Sequence, residues 1–174
     1  MLSVAAFLDG KHAQAFPSFG SERMGAPVMA FCRIDEKEIR SREPVSRPDA
    51  LIILDPTLLH QVDVFGGLAD DGFVLINSSR SFEELGLAEL LEQSSRSHLL
   101  TVPATELARE YLGRPLPNAV LLGGFAALSG LITIGSVDAA IREKFPGSVG
   151  ERNVEGAEKA FEFVEDEIRE MAGA

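Results

Sequence analysis

The segment Phe16–Val28 concentrates the side chains of this sequence that are best suited to binding chemistry. It places Ser21, Glu22 and Arg23 just before Gly25. Glycine admits backbone turns that other residues resist, and a guanidinium is suited to binding a carboxylate or a phosphate. Two interpretations stay open from the residues alone: a loop that faces an anionic ligand, and a tight connection between strands whose charged side chains are solvated.

The remaining reactive side chains are isolated in the sequence. Cys32 lies inside an apolar run with no histidine nearby, which favours core packing over nucleophilic duty, since free cysteine is among the most buried residue types. Asp55 follows another apolar run, where it could orient a ligand at a strand end or cap the turn before Pro56; both interpretations stay open. The histidines lack metal-ligand spacing, so we predict no metal site from His12, His60 and His98.

Several catalytic signatures are missing from the sequence. It contains no G-x-S-x-G nucleophile motif, no phosphate-binding P-loop and no G-x-G-x-x-G after a predicted strand. The single cysteine excludes an internal disulfide, which favours a reducing compartment such as the cytoplasm. It also predicts that this chain holds no iron–sulfur cluster by itself, because a cluster needs a set of thiolates.

The composition is that of a globular protein. Of the 174 residues, 45% are hydrophobic and 25% are charged, which is enough apolar surface for a core and excludes a disordered chain. The length predicts a single domain over 1–174. A formal net charge of −11 repels nucleic acid and anionic membranes, so we predict neither as a partner. The uncharged run Pro115–Val137 contains prolines and glycines, which favours a buried helix over a membrane span.

Short apolar runs bounded by turn residues predict the strands. The segment from His12 is extended as far as Phe16, a loop follows over Ser18–Ala26, and a strand follows over Pro27–Ile34. Three later runs are continuously apolar, as expected of parallel strands buried on both faces: Ala50–Asp55, Gly72–Asn77 and His98–Val102. Their alternation with short helical segments predicts an α/β fold with a mainly parallel sheet flanked by helices.

Helical patterns dominate the last third of the chain. A helix ends at Leu8, where Asp9-Gly10 suits a left-handed cap. We predict that Asn118 and Ser136 cap two later helices, and that apolar residues at three- and four-residue steps define a last one. The predicted helical segments are Met1–Leu8, 57–61, Phe82–Gln93, Thr105–Leu112, 118–131, 136–145 and the segment from Asn153 through Met171.

The run from Gln14 to Ile34, with Phe-Pro-x-Phe-Gly-x-Glu-Arg-x-Gly-Ala-Pro-Val at its centre, carries a family resemblance. It closely resembles the gamma subunit of 2-oxoacid:ferredoxin oxidoreductases of the pyruvate and 2-ketoisovalerate type. The resemblance covers nearly the whole chain. It continues through Asp55-Pro-Thr-Leu58, Gly67-Leu-x-x-Asp-Gly72, Ile76-Asn-Ser78 and Asn118 to Gly130.

The resemblance implies a subunit of a larger enzyme and no catalytic residue in this chain. In that family the complex oxidatively decarboxylates a 2-oxoacid on thiamine diphosphate and Mg²⁺, passes electrons through [4Fe–4S] clusters to ferredoxin, and transfers the acyl group to coenzyme A. The gamma subunit packs on the alpha, beta and delta subunits and helps to enclose the coenzyme A region. By this resemblance Ser21, Glu22, Arg23 and Gly25 face the subunit interface near the active site or the coenzyme A path.

The sequence departs from the family at its start. Family members begin with a strand and a Gly-Arg-Gly-Gly-Gln-Gly loop ahead of the helix that ends at Leu8, so we expect a chain truncated relative to the family, with an open edge in the sheet. Gly25-Ala-Pro-Val28 resembles the pyruvate or branched-chain type, while 2-oxoglutarate and aryl-glyoxylate enzymes stay open. A stand-alone α/β protein that binds a nucleotide or small ligand is the alternative of a different class.

Overall fold

The computed structural model of the chain describes residues 1–18, 27–93, 95 and 98–173. Two antiparallel strands follow the first helix: β1 (His12–Ser18) and β2 (Met29–Asp35). Their register runs from His12 opposite Asp35 to Ser18 opposite Met29, so the pair is a hairpin that encloses residues 19–28. This confirms the two predicted strands, but the end predicted for the first was wrong, since β1 continues through Pro17 and Ser18.

A parallel three-stranded sheet forms the centre of the molecule. Its strands are β3 (Ala50–Ile53), β4 (Phe73–Asn77) and β5 (Leu99–Val102), in the order β3-β4-β5. All three coincide with the continuous apolar runs of the sequence, and the predicted parallel sheet is confirmed. β4 lies between the other two strands, and its residues Val74, Leu75 and Ile76 are fully buried.

Helices cover both faces of this sheet and make up the C-terminal third. A 3₁₀ helix over Pro56–His60 follows β3. The α-helices are α1 (Leu2–Leu8), α2 (Ala88–Gln93), α3 (Ala104–Leu107, continued by a π-helical turn over Ala108–Leu112), α4 (Asn118–Ser129), α5 (Ile134–Lys144) and α6 (Ser148–Gly173). None of the helices in the described ranges is both long and apolar enough to cross a membrane.

Alternate residues of the parallel strands point into two separate apolar clusters. Leu75 and Leu100 belong to the larger cluster, which α1, α4, α5 and α6 complete. Val74 and Leu99 belong to the smaller one, which the segment from Phe82 to Leu91 covers. This period of two is what a sheet buried on both faces requires. The molecule is therefore a three-layer α/β sandwich.

Four helix boundaries differ from those predicted. Leu85 and Leu87 donate backbone hydrogen bonds within a turn that Gly86 closes with a φ of 77°, so the helix predicted from Phe82 begins only at Ala88. Thr133, rather than Ser136, caps α5, because its Oγ1 accepts from the Ser136 backbone N–H at 3.2 Å.

The two remaining boundary differences are at α4 and α6. Pro117 rather than Asn118 occupies the N-cap of α4, and its carbonyl accepts from Leu121 N–H at 2.8 Å. α6 begins at Ser148, five residues before the predicted Asn153. Its first turn lacks the apolar stripe, because Val149 is 57% exposed and Gly150 packs directly against the backbone of the preceding segment.

The carboxylate of Asp9 ties the end of α1 to the start of α5. Gly10 ends α1 with a φ of 80°, as predicted for a left-handed cap. Asp9 then accepts hydrogen bonds from the Thr133 N–H at 2.7 Å, the Thr133 hydroxyl at 2.8 Å and the Ser136 hydroxyl at 2.5 Å. Burial alone would raise the pKa of Asp9, but these hydrogen bonds together lower it. A carboxylate at a helix N-terminus is stabilised by the unpaired N–H groups there.

Candidate functional site

The four residues singled out from the sequence, Ser21, Glu22, Arg23 and Gly25, lie outside the described residues. What the structure describes is the pair of strands on either side of them, β1 up to Ser18 and β2 from Met29. One face of the hairpin belongs to the core, since Ala13 packs against the larger apolar cluster. Because successive strand residues point to opposite faces, the other face of β1 and β2 is turned away from that cluster.

Two phenylalanines and an arginine occupy the outer face of the hairpin. Phe16 lies opposite Phe31, with ring centroids 5.5 Å apart and ring planes tilted by 44°. The guanidinium carbon of Arg33 lies 5.7 Å from the centroid of the Phe16 ring, a distance at which a cation is attracted by the ring face. These three side chains form an aromatic and cationic surface at the base of the loop, which we call the hairpin platform.

An unpaired donor and an unpaired acceptor lie beside the aromatic rings. Gln14 is directly opposite Arg33 in the register. The Oε1 atom of Gln14 and the Nη1 atom of Arg33 are shielded from solvent, and neither has a hydrogen-bond partner in the described part of the chain. A buried polar group left in this state costs about 1–3 kcal/mol. An amide that reached both atoms could satisfy them, because its N–H would donate to Gln14 Oε1 and its C=O would accept from Arg33 Nη1, whereas a carboxylate could pair only with Arg33.

The second strand of the hairpin begins with exposed apolar side chains. Val28 is 85% exposed and Met29 is 58% exposed. Protein interfaces are enriched in aromatic residues, methionine and arginine relative to the rest of the surface. The hairpin platform and the two residues next to it have this composition, which fits a protein-facing surface.

Polar residues at the carboxyl ends of the parallel strands satisfy one another. Asp55 caps the 3₁₀ helix, because its Oδ1 accepts from Thr57 N at 2.9 Å and from Thr57 Oγ1 at 2.7 Å, and these bonds lower the pKa of Asp55. Asn77 donates to the Leu54 carbonyl at 2.9 Å and to Thr105 Oγ1 at 2.8 Å, and accepts from Thr105 N at 3.0 Å. The structure therefore shows a capping role for Asp55.

Comparison with known proteins decides the family. A family model described as pyruvate ferredoxin/flavodoxin oxidoreductase matches residues 1–163. The chain belongs to this family.

Relatives within the pyruvate ferredoxin/flavodoxin oxidoreductase family narrow the type of subunit. The chain is 48% identical to pyruvate synthase subunit PorC of Methanothermobacter thermautotrophicus, over 95% of this chain and 86% of that protein. It is 48% identical to the pyruvate/ketoisovalerate oxidoreductases common subunit gamma of Pyrococcus abyssi, over 93% of this chain and 86% of that protein. The crystal structure of pyruvate oxidoreductase subunit PORC from Thermotoga maritima superposes with a TM-score of 0.73 at 30% identity, covering 92% of this chain and 84% of that one. The gamma-subunit resemblance read from the sequence is confirmed.

Among the described residues, Asp138 on α5 carries a carboxyl group whose pKa is raised. Its side chain is only 8% exposed, and its Oδ1 atom has no hydrogen-bond partner among the described residues. The pKa of Asp138 is raised to about 6, chiefly by burial and also by the neighbouring Glu158 and Glu151, while Arg142 opposes the shift. Arg142 is itself engaged by Glu151, through bonds of 2.9 and 3.0 Å. In the folded state this carboxyl therefore keeps its proton to a higher pH than an ordinary aspartate, and the protonated form predominates only below about pH 6.

We expect Asp138→Asn to flatten the pH dependence of stability in the acid range. A carboxyl whose folded pKa is raised from 3.8 to about 6 binds more protons in the native state between these values, so the wild type loses stability as pH rises across this window. Asparagine is isosteric and uncharged, so the variant should be more stable than wild type by about 1 kcal/mol near pH 7. Urea unfolding at several pH values measures this. Equal pH slopes for the two proteins would contradict it.

The cysteine and the potential metal ligands show no sign of a reactive site in the described part of the chain. Cys32 is half-buried within β2, and burial raises the pKa of its thiol, which agrees with a packing role. Among the described residues, no three His, Cys, Asp or Glu side chains are placed to hold a metal ion.

Sequence reasoning missed the hairpin platform, although it identified the adjacent loop. Gln14, Phe31 and Arg33 were assigned only to strands. The sequence does contain a signal for it, because residues two positions apart on a strand lie on the same face. Gln14 and Phe16 are spaced in this way, and so are Phe31 and Arg33. What the sequence lacked was the register that sets the two strands opposite each other.

Proposed function

We propose that this gamma-type chain works in a complex that oxidatively decarboxylates pyruvate or a branched-chain 2-oxoacid, makes the acyl-coenzyme A and passes electrons to ferredoxin. The observation that carries the proposal is the family match over residues 1–163, together with relatives named as pyruvate and ketoisovalerate oxidoreductase subunits. In this proposal the alpha, beta and delta subunits are the direct partners. Thiamine diphosphate, Mg²⁺, the [4Fe–4S] clusters and coenzyme A belong to the complex, which works in the cytoplasm.

The hairpin is the proposed docking element. Its outer face offers Phe16, Phe31 and Arg33, and the apolar residues Val28 and Met29 are strongly exposed beside it. Docking on a catalytic subunit would remove the exposed apolar surface of Val28 and Met29 from water. The enclosed loop would then lie at the same interface.

The loop residues Ser21, Glu22, Arg23 and Gly25 are proposed to face the coenzyme A path at that interface. The chain carries a formal net charge of −11, so an anionic ligand is repelled at long range and has to be held by a local cation. Arg23 is the cation that this loop provides, and a guanidinium pairs with phosphate through two hydrogen bonds.

Affinity purification of the tagged chain from its own host, under anaerobic conditions, tests the subunit role. Co-purifying proteins are identified by mass, and the eluate is assayed for coenzyme A-dependent viologen reduction with a panel of 2-oxoacids. We expect alpha, beta and delta subunits and activity on pyruvate or 2-ketoisovalerate. Activity restricted to 2-oxoglutarate or an aryl-glyoxylate would overturn the substrate class, and a lone inactive chain would favour a stand-alone ligand-binding protein.

Arg23→Ala tests the loop within the assembled complex. We expect assembly to be unchanged and the KM for coenzyme A to rise about tenfold, the effect of losing one charge-assisted contact. Arg152→Ala, which removes an exposed arginine on α6, serves as the matched control. If the two variants show the same coenzyme A kinetics, Arg23 does not face the coenzyme A path.

A further inference from the structure

A groove runs along the last strand of the parallel sheet, away from the hairpin platform. Its volume is about 140 Å³. It lies between the turn before α2 and α2 itself on one side and the end of α6 on the other. The residues that line it are Ser81, Phe82, Glu83, Leu91, Leu99, Leu100, Thr101, Glu167 and Met171.

The lining places this groove on the edge of β5 and not on a face of the sheet. Leu99, Leu100 and Thr101 are consecutive, and consecutive strand residues point to opposite faces. Leu99 belongs to the smaller apolar cluster and Leu100 to the larger one, on the other side of the sheet. A cavity lined by all three residues must therefore follow the edge of the strand.

This edge of β5 is open. β4 pairs with one side of β5, and within the described residues no strand pairs with the other. The Val102 carbonyl accepts from Ser78 N–H at 3.0 Å, so the backbone polar groups of Val102 point towards β4. Since these groups alternate in direction along a strand, those of Leu100 also point to β4. The N–H and C=O groups of Leu99 and Thr101 point into the groove.

The walls of the groove select the shape of what can bind there. The groove continues the sheet layer between two helical layers, a space that suits an extended backbone. Phe82 and Leu91 make one wall apolar, and Met171 contributes an apolar contact on the other. Glu167 places a carboxylate on the α6 wall, and the whole chain is acidic, with a net charge of −11. Complementarity calls for an extended segment that carries apolar residues and a lysine or arginine.

We propose that the open edge of β5 is a second docking site, where an extended basic and apolar segment of another subunit adds a strand to the sheet. The inference rests on the proposed function, since it takes the occupant from the same complex. It adds a contact surface distinct from the hairpin and predicts backbone hydrogen bonds at Leu99 and Thr101. It also accounts for how an otherwise aggregation-prone edge is covered.

Hydrogen exchange at single amides, in the isolated chain and in the complex purified from the host, tests the proposal. We expect the Thr101 amide to exchange at least about 100-fold more slowly in the complex, because it gains a hydrogen bond. The Leu100 amide, which points to β4, is the internal control and should be protected in both samples. Equal exchange of Leu99 and Thr101 in both samples would overturn the proposal.

Charge reversal tests the chemistry of the occupant. Glu167→Lys should reduce the protection of Thr101 in the complex about tenfold, whereas Glu165→Lys, on the same helix but outside the groove lining, should leave it unchanged. Protection that appears in the isolated chain and grows with its concentration would assign the edge to a second copy and overturn the proposal. If the complex assembles but the Thr101 amide is not protected from exchange, this inference alone is wrong. If the chain purifies without partners, the proposed function is wrong as well.

Discussion

Gly123→Ala is expected to destabilise the chain by at least about 3 kcal/mol, the upper range for overpacking a core. Gly123 lies in the middle of α4, where α4 crosses α6. A Cβ atom added there would stand 1.9 Å from the carbonyl oxygen of Ala157 and 2.5 Å from its carbonyl carbon. Ala157 is fully buried in α6, so these backbone atoms can move only if the helix moves. The contact therefore requires the absence of a side chain at Gly123.

The neighbouring glycine provides a matched control. A Cβ atom at Gly124 would meet Leu75 Cδ2 at 3.3 Å and Val164 Cγ2 at 3.4 Å, both of which are side-chain methyl groups that can shift by a few tenths of an ångström. Alanine is also favoured over glycine within a helix by about 1 kcal/mol. We therefore expect Gly124→Ala to stay within about 1 kcal/mol of wild type. Urea unfolding followed by circular dichroism compares the two, and equal midpoints would contradict the packing argument.

The parallel sheet could be predicted from the sequence because its signals are local. Each strand is a continuous apolar run that ends at a polar or proline residue, as in the run from Ala50 that stops before Pro56. The buried helix α4 was also predicted from a local signal. An uncharged run that contains prolines and glycines favours a helix buried in the core over a membrane span. The start of α6 was wrong by five residues, because Val149 is exposed and no apolar stripe marks the first turn.

The candidate site was predicted less completely, for a physical reason. The resemblance drew attention to the loop around Arg23, but the platform beneath it depends on which residues of β1 and β2 face each other. Gln14 and Arg33 are separated by 19 positions in the sequence and become neighbours only through the register of the hairpin. The open edge of β5 is likewise a property of strand order, which no short segment encodes.

Asn77→Ala is expected to cost about 3 kcal/mol of stability, because one side chain holds three elements together at the carboxyl end of the sheet. Asn77 ends β4, and its amide joins the Leu54 carbonyl after β3 to Thr105 at the start of α3. The side chain is only 7% exposed. Alanine would leave the Leu54 carbonyl and the Thr105 N–H without these partners at a part-buried place. Each lost partner costs about 1–3 kcal/mol when the group stays buried.

Ser78→Ala is the control for Asn77→Ala. It shows how much stability is lost when another buried polar side chain at the same strand end is removed. Ser78 is buried to a similar degree, at 8% exposure, but its hydroxyl accepts a local bond from Arg80 N at 3.0 Å, within its own turn. We expect that variant to lose about 1 kcal/mol. Asn77→Asp gives a third comparison, since a carboxylate can still accept from Thr105 but cannot donate to the Leu54 carbonyl. Unfolding free energies in the order Ser78→Ala, Asn77→Asp, Asn77→Ala, from the most to the least stable, would follow from the geometry. An Asn77→Ala protein as stable as Ser78→Ala would mean that the strand ends are held by packing alone.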